Sequence, residues 1–145
     1  MEVEQERVGR LISYIYRENQ KALAKELLPY GLGGGGQYGF LKLILGKPGI
    51  TQEQMTAEMK FDKATTARAV KHLEAVGYIE RRPDPRDRRS SLLYPTAKAT
   101  GFAPVLQAIL DRFNVKLISG LTSEEEQQLL RLLRKVSRNA AVLSE

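Results

Sequence analysis

Apolar residues recur at three- and four-residue steps at both ends of the chain and, in shorter runs, between them. Val8, Leu11, Ile12, Ile15, Leu23 and Leu27 carry that spacing between residues 3 and 28, with Arg7, Arg10, Arg17, Glu18, Lys21 and Lys25 among them. The pattern predicts one long amphipathic helix, ended by Pro29 and Gly31. Gly33 to Gly36 read as a flexible loop, and Gln37 to Leu45 as a short helix apolar enough to be mostly buried. Gly46-Lys47-Pro48-Gly49 is a turn by composition. Thr51 is placed to N-cap a helix over Gln52 to Met59, with Gln54 as its capping-box partner and Met55 and Met59 inward. After a break at Lys60-Phe61-Asp62, a further helix is expected from Lys63 to Val76, closed by Gly77. Ala67, Val70, Leu73 and Val76 mark its inner face; Thr65, Arg68, Lys71 and His72 fall opposite.

Tyr78 to Arg82 and Ser90 to Tyr94 are β-rich runs flanking Pro83-Asp84-Pro85-Arg86-Asp87-Arg88-Arg89, which reads as a hairpin with an arginine-loaded tip. Thr96 to Ile118 is a second long helix, in which Pro104 shifts the start or introduces a kink. Thr122 caps a last helix with Glu125 as box partner, and Leu129, Leu132, Leu133 and Val136 form its stripe. The order α–α–α–α–β–β–α–α gives a mainly α fold with a small β-hairpin wing. Two short helices, a three-residue break and a hairpin after the second helix describe a winged helix-turn-helix.

That reading implies a chemistry. The major groove of B-DNA admits one helix, whose free face reads base edges. Thr65, Thr66 and Arg68 stand near the start of the second short helix; Arg suits guanine, and Thr offers a hydroxyl or a methyl. Lys71 and His72, further along, are candidates for phosphate. In the wing, residues 81–89 hold five arginines and two aspartates, so +3 of the chain's net charge of +6 sits there. Arg86, Arg88 and Arg89 suit the negative potential of the minor groove. Asp87 is placed to orient Arg89 through a bidentate pair, and Asp84 to shape the turn. Residues 60–92 hold nine Lys+Arg and five Asp+Glu, or +4, leaving +2 for the other 112 residues. The charge is concentrated on the helix and the wing.

The run Gly77-Tyr78-Ile79-Glu80-Arg81-Arg82-Pro83-Asp84-Pro85-Arg86-Asp87-Arg88-Arg89, followed by Thr96-Ala97-Lys98, resembles the signature of MarR-type (multiple antibiotic resistance regulator) transcription factors. Thr51-Gln52-Glu53-Gln54-Met55 and Asp62-Lys63-Ala64-Thr65-Thr66-Ala67-Arg68 match that family's helix-turn-helix, and the flanking helices match its order. Asp87 and Arg89 supply its Asp-x-Arg. Ala99 stands where a glycine is common, and Gly33 to Gly36 replace the usual Thr-Pro-Ala style helix entry. The resemblance implies a homodimer with interlocking terminal helices on a pseudo-palindromic operator. It also implies repression relieved by a small, often anionic aromatic effector. Residues 1–145 then form one protomer, with 3–28 and 97–145 as dimerisation helices and 37–96 as the DNA-binding lobe. The apolar stripes support the dimer independently, because a small central lobe cannot cover them, and half-sites about 34 Å apart need two recognition helices.

Other chemistries fare worse. Gly31-Leu32-Gly33-Gly34-Gly35-Gly36 satisfies GxGxxG formally, but a helix precedes it where nucleotide binding needs a strand. His72 is the only histidine and there is no cysteine, so no zinc cage, thiol nucleophile or thiol sensor is expected. No catalytic constellation is visible, and neither enzymatic activity nor a cofactor is expected. Tyr14, Tyr30 and Tyr38 are candidates for an effector cleft, since pockets are often aromatic-lined; the plainer reading makes them core or rim. No stretch reads as a membrane span or a secretion signal, so the expected address is the cytoplasm and the expected partner duplex DNA. The rival classes are a winged-helix protein–protein adaptor and an architectural DNA binder without effector control.

Overall fold

The computed structural model describes residues 7–34 and 36–145. The expected helix start at residue 3 and the loop position Gly35 lie outside the described residues. Two compact units divide the chain, one ending at Ile109 and the other spanning Leu110–Glu145.

The first unit begins with α1 (Val8–Leu27), followed by a 3₁₀ turn (Leu28–Tyr30) in which Pro29 supplies a fixed φ. Gly31 closes the turn at φ 79°, a left-handed conformation that glycine adopts without a Cβ clash. At Gly33 a Cβ would lie 2.8 Å from Leu28 Cδ1 and 3.2 Å from the Ala24 carbonyl oxygen, so close packing requires glycine there. The glycine run is thus partly a packing device between α1 and α2 (Gln37–Gly46). Phe40, Leu41 and Ile44 of α2 are fully buried, as its apolar composition requires.

A two-residue strand, β1 (Ile50–Thr51), leads into α3 (Gln52–Met59). β1 pairs antiparallel with β3 (Ser91–Pro95), which also pairs with β2 (Ile79–Pro83), giving the sheet order β1-β3-β2. No periodicity announces β1; it exists because the Gly49 N–H reaches the Leu93 carbonyl at 2.7 Å. The hairpin strands begin one residue later than the β-rich runs suggest. Tyr78 is held by the end of α4 (Lys63–Ala75), its N–H donating to the Leu73 carbonyl while Gly77 donates to Glu74. That pair of bonds is a Schellman closure, with Gly77 at φ 86°.

The Thr96-Ala97-Lys98 motif acts on the same helix end. The Thr96 hydroxyl donates to the Gly77 carbonyl at 2.6 Å and accepts the Ala99 N–H at 3.3 Å, capping α5 (Ala97–Leu117). Lys98 donates to the Val76 carbonyl and lies 4.6 Å from the Tyr78 ring centre. A cation at the C-terminal carbonyls of α4 complements its dipole. Anchored in this way, α5 starts ahead of Pro104 and runs on through it, so the proline does not displace the helix start.

The core of this unit gathers Leu23 and Leu27 of α1, the three α2 residues, Met55, Val70, Leu73, Tyr78, Leu93, Phe102 and Leu106. Met59 is only half-buried. The N-terminal stripe Val8, Leu11, Ile12 and Ile15 stays exposed.

The second unit joins the end of α5 to α6 (Ser123–Leu143) through Gly120, at φ 90°. Thr122 and Glu125 form the expected capping box, with bonds of 2.9 and 3.1 Å. No residue of Leu110–Glu145 is buried, and Leu117, Leu129, Leu132 and Leu133 stand 38–55% exposed. Among the described residues no helix is long and apolar enough to cross a membrane.

Candidate nucleic-acid interface

α3 and α4 are joined through Lys60, which turns the chain at φ 58°, and Asp62, which caps α4. Asp62 Oδ1 accepts the Thr65 N–H at 2.7 Å and Oδ2 accepts the Thr65 hydroxyl at 2.9 Å. These bonds, and the Arg68 charge beyond them, hold its carboxyl below the usual carboxylate range. Asp62 lies in the stretch that reads as a break; an aspartate directly before Lys63 is nevertheless a cap signal in its own right.

The buried face of α4 consists of Thr66, Ala69, Val70 and Leu73, with Ala67 and Val76 half-buried. This corrects the expectation for Thr66, which is fully buried and has no surface to offer DNA. Its hydroxyl donates to the Asp62 carbonyl at 3.1 Å, so a β-branched polar residue enters the core with its polar atom satisfied. His72 is corrected too. It is half-buried, and its Nε2 lies 2.7 Å from the Gly31 carbonyl, which can only accept. The ring therefore ties α4 to the loop after α1. Arg68 and Lys71 are exposed, and Thr65 is partly so. Arg68 Nη2 donates to Thr65 Oγ1 at 3.3 Å.

The five wing arginines separate into two kinds. Arg81 pairs with Glu74 at 3.2 Å, and Arg82 pairs with Glu80 at 2.8 Å while stacking 4.0 Å from the Tyr94 ring centre. Arg86, Arg88 and Arg89 are exposed, and among the described residues neither Arg86 nor Arg88 forms an ion pair. Asp84 and Asp87 build the tip, their Oδ1 atoms accepting the Arg86 and Arg89 backbone N–H groups, each at 2.9 Å. The bidentate Asp87–Arg89 pair does not form. A single contact of 3.6 Å joins Oδ1 to Arg89 Nε, because on so tight a turn the backbone N–H lies closer. The Arg89 side chain stays 93% exposed.

A groove of about 830 Å³ runs between α3, the start of α4 and the wing. It brings Asp87 and Arg89 together with Thr56, Lys63, Arg81 and Ser90. The last four escaped the residue-type reading, since only the packing of the wing against α3 makes them neighbours.

A second, smaller cleft of about 260 Å³ lies beside α1, lined by Tyr16, Gln20, Leu23, Leu27, Tyr38 and Phe61 among others. Burial, and secondarily the neighbouring Tyr16, raises the Tyr38 phenol above its ordinary value. Tyr30 is not in this cleft; its ring packs 4.8 Å from Phe102 and its carbonyl accepts the Tyr78 hydroxyl. Tyr14 is 56% exposed and also outside the lining. Two helical positions rotate a side chain by about 200°, so Tyr16 occupies the face that Tyr14 cannot. Tyr16 accepts a 2.9 Å hydrogen bond from Gln20.

The profile of the MarR family matches residues 30–90. YybA of Bacillus subtilis, an uncharacterized HTH-type transcriptional regulator, is 38% identical over 104 residues, covering 72% of this chain and 69% of its own. BilQ of Clostridium symbiosum, an HTH-type transcriptional regulator, is 33% identical over 125 residues, 86% of each chain. A MarR transcriptional regulator from Methanosarcina mazei Go1 has a TM-score of 0.87 at 33% identity, over 94% of this chain and 97% of that one. A MarR family regulator from Listeria monocytogenes, complexed with a 26mer DNA, has a TM-score of 0.85 at 29% identity, over 94% and 91%. On these grounds the chain belongs to the MarR family of transcriptional regulators.

Proposed function

We propose that two copies of this chain bind one duplex as a ligand-responsive repressor, each laying α4 in the major groove of a half-site and its wing along the adjacent minor groove. The observation that carries this reading is the set of exposed cations on α4 and on the wing. Arg68 and Lys71 are exposed on α4 and Arg86, Arg88 and Arg89 on the wing, with Lys63 and Arg89 lining the groove between the start of α4 and the wing, while Arg81 and Arg82 are paired with glutamates. Exposed cations are the ones able to displace counterions from phosphates. The Listeria relative complexed with DNA supports the same use of the fold.

The dimer is supported by what each unit leaves uncovered. Leu110–Glu145 buries none of its leucines, and the start of α1 presents Val8, Leu11, Ile12 and Ile15. In this reading α1 and the helices from residue 97 onward pair with a second copy, residues 37–96 read DNA, and the protein works in the cytoplasm as a regulator without catalysis. A small aromatic acid is the proposed effector, and the cleft holding Tyr16 and Tyr38 is where it would bind.

Selecting bound fragments from the source genome tests the central claim: a shared half-site, inverted at a spacing of one helical turn, is expected. Failure to retain any duplex at low salt would favour the protein–protein adaptor. A thermal-shift screen of benzoates tests the effector, and no shift at millimolar ligand would favour an architectural binder.

The corrected residues yield a prediction of their own. Thr66→Val and His72→Ala are expected to leave the affinity for duplex DNA unchanged at matched salt, because both side chains are engaged inside the protein. His72→Ala should cost about 0.5–1.5 kcal/mol of stability through the lost bond to Gly31. Measuring Kd for both variants at one fixed salt concentration checks this; a loss of about 5-fold or more in either would return that residue to the interface.

A further inference from the structure

We propose that Asp62 is a positioning residue for base reading: acting through Thr65, it holds the Arg68 guanidinium at the leading end of α4 so that each half-site carries a guanine opposite Arg68. The inference rests on the DNA-binding reading above and adds which residue organises it and which base it selects.

Residues 62, 65 and 68 stand three apart on one side of α4 and form a relay. Both Asp62 carboxylate oxygens are engaged by Thr65, one by its N–H at 2.7 Å and one by its hydroxyl at 2.9 Å. A threonine hydroxyl has one proton. With that proton committed to Asp62, Thr65 Oγ1 can only accept, and it accepts from Arg68 Nη2 at 3.3 Å. Arg68 has five N–H donors, and one is engaged by Thr65. The remaining fork matches the O6 and N7 acceptors that guanine alone presents as a pair in the major groove. Thr65 Oγ1 is left with lone pairs alone to offer. It has no donor for a phosphate or for a base acceptor, so Arg68 becomes the donor at this end of the helix.

The charge of Asp62 contributes in the same direction. It is exposed, and its hydrogen bonds favour the ionised carboxylate. A carboxylate carried toward a phosphate backbone is repelled on every sequence alike. The repulsion is offset only where Arg68 meets its guanine, so the relay lowers non-specific binding while it sharpens specific binding.

The test uses the full-length protein, a duplex library randomised over the half-site, and a fixed unrelated duplex as the non-specific reference. Arg68→Ala identifies the base pair in question as the one whose guanine preference it flattens. Thr65→Val removes the hydroxyl but keeps the backbone bond to Asp62. It is expected to lower discrimination at that base pair roughly 5-fold or more, within the range of a bidentate contact, with non-specific affinity unchanged. Thr65→Ser restores the hydroxyl and should restore discrimination, which a merely structural role for Thr65 would not require. Asp62→Asn keeps a capping oxygen and should lose discrimination while binding the unrelated duplex more tightly. Full guanine preference in both Thr65→Val and Asp62→Asn overturns the relay, as does an Arg68→Ala variant that flattens no position. If the unaltered protein binds neither duplex, the DNA-binding reading itself falls and the relay with it.

Discussion

Replacing Arg86, Arg88 and Arg89 together with alanine is expected to weaken duplex binding about 100-fold near physiological salt while leaving the fold intact. All three side chains project from the turn between β2 and β3, and none contributes a guanidinium to the core. The tip is built by backbone N–H groups donated to Asp84 and Asp87, which alanine retains. Exposed substitutions of this kind stay within about 0.5 kcal/mol each, so the melting temperature should move by only a few degrees. On DNA, three charge-assisted contacts of roughly 1 kcal/mol each correspond to about two orders of magnitude in Kd. If each cation neutralises one phosphate, the slope of log Kobs against log salt should become shallower by about 2.7. Arg82→Ala is the internal contrast. That cation is already paired with Glu80 and stacked on Tyr94, so its loss should change the slope by well under 1. An unchanged slope in the triple variant would remove the wing from the interface.

Phe102→Ala should produce the largest loss of stability. The ring is 7% exposed and lies 4.8 Å from Tyr30 and 5.4 Å from Tyr78, joining the turn after α1 to the end of α4 and the first turns of α5. Truncating a buried phenylalanine costs about 3–5 kcal/mol, part transfer and part cavity. For a chain of this size that is a fall in Tm of roughly 10–20 °C, read at one fixed protein concentration. Tyr78→Phe separates packing from hydrogen bonding at the same place. It keeps the ring beside Phe102 and Lys98 but removes the hydroxyl that donates to the Tyr30 carbonyl, a loss of about 1 kcal/mol. A Tm for Phe102→Ala within about 3 °C of the parent would show that this cluster does not hold the lobe together.

Much of the architecture is legible in the sequence, for identifiable reasons. The capping boxes Thr51/Gln54 and Thr122/Glu125 and the glycine after α4 are local devices whose partners lie within a few residues, and each forms as expected. The helix-turn-helix, the hairpin and their arginine content follow from the same short-range logic. The candidate site was legible by residue type and only partly by role. Arg68, Lys71, Arg86, Arg88 and Arg89 are exposed, whereas Thr66 and His72 turn inward. A helical wheel drawn from hydrophobicity alone leaves a threonine or a histidine outside, because it cannot see an acceptor that satisfies the polar atom when the side chain turns in. For Thr66 that acceptor is the carbonyl of Asp62, and for His72 the carbonyl of Gly31, 41 residues away.

By itself, then, the sequence determined which segments form helices and the hairpin, and that the surplus positive charge lies on α4 and the wing, since caps, turns and charge runs act between near neighbours. Tertiary structure decided three things. It added β1, which is too short to show a period and exists only through its pairing with β3. It chose Tyr16 and Tyr38 over Tyr14 and Tyr30 as the tyrosines that share a cleft, because that choice depends on which side of α1 faces the loop. It also divided five arginines into two held by glutamates and three left exposed at the tip. Composition counts a charge wherever it falls. Only packing, which puts Glu74 beside Arg81, and strand geometry, which sets Glu80 beside Arg82, determine which charges remain available for a partner.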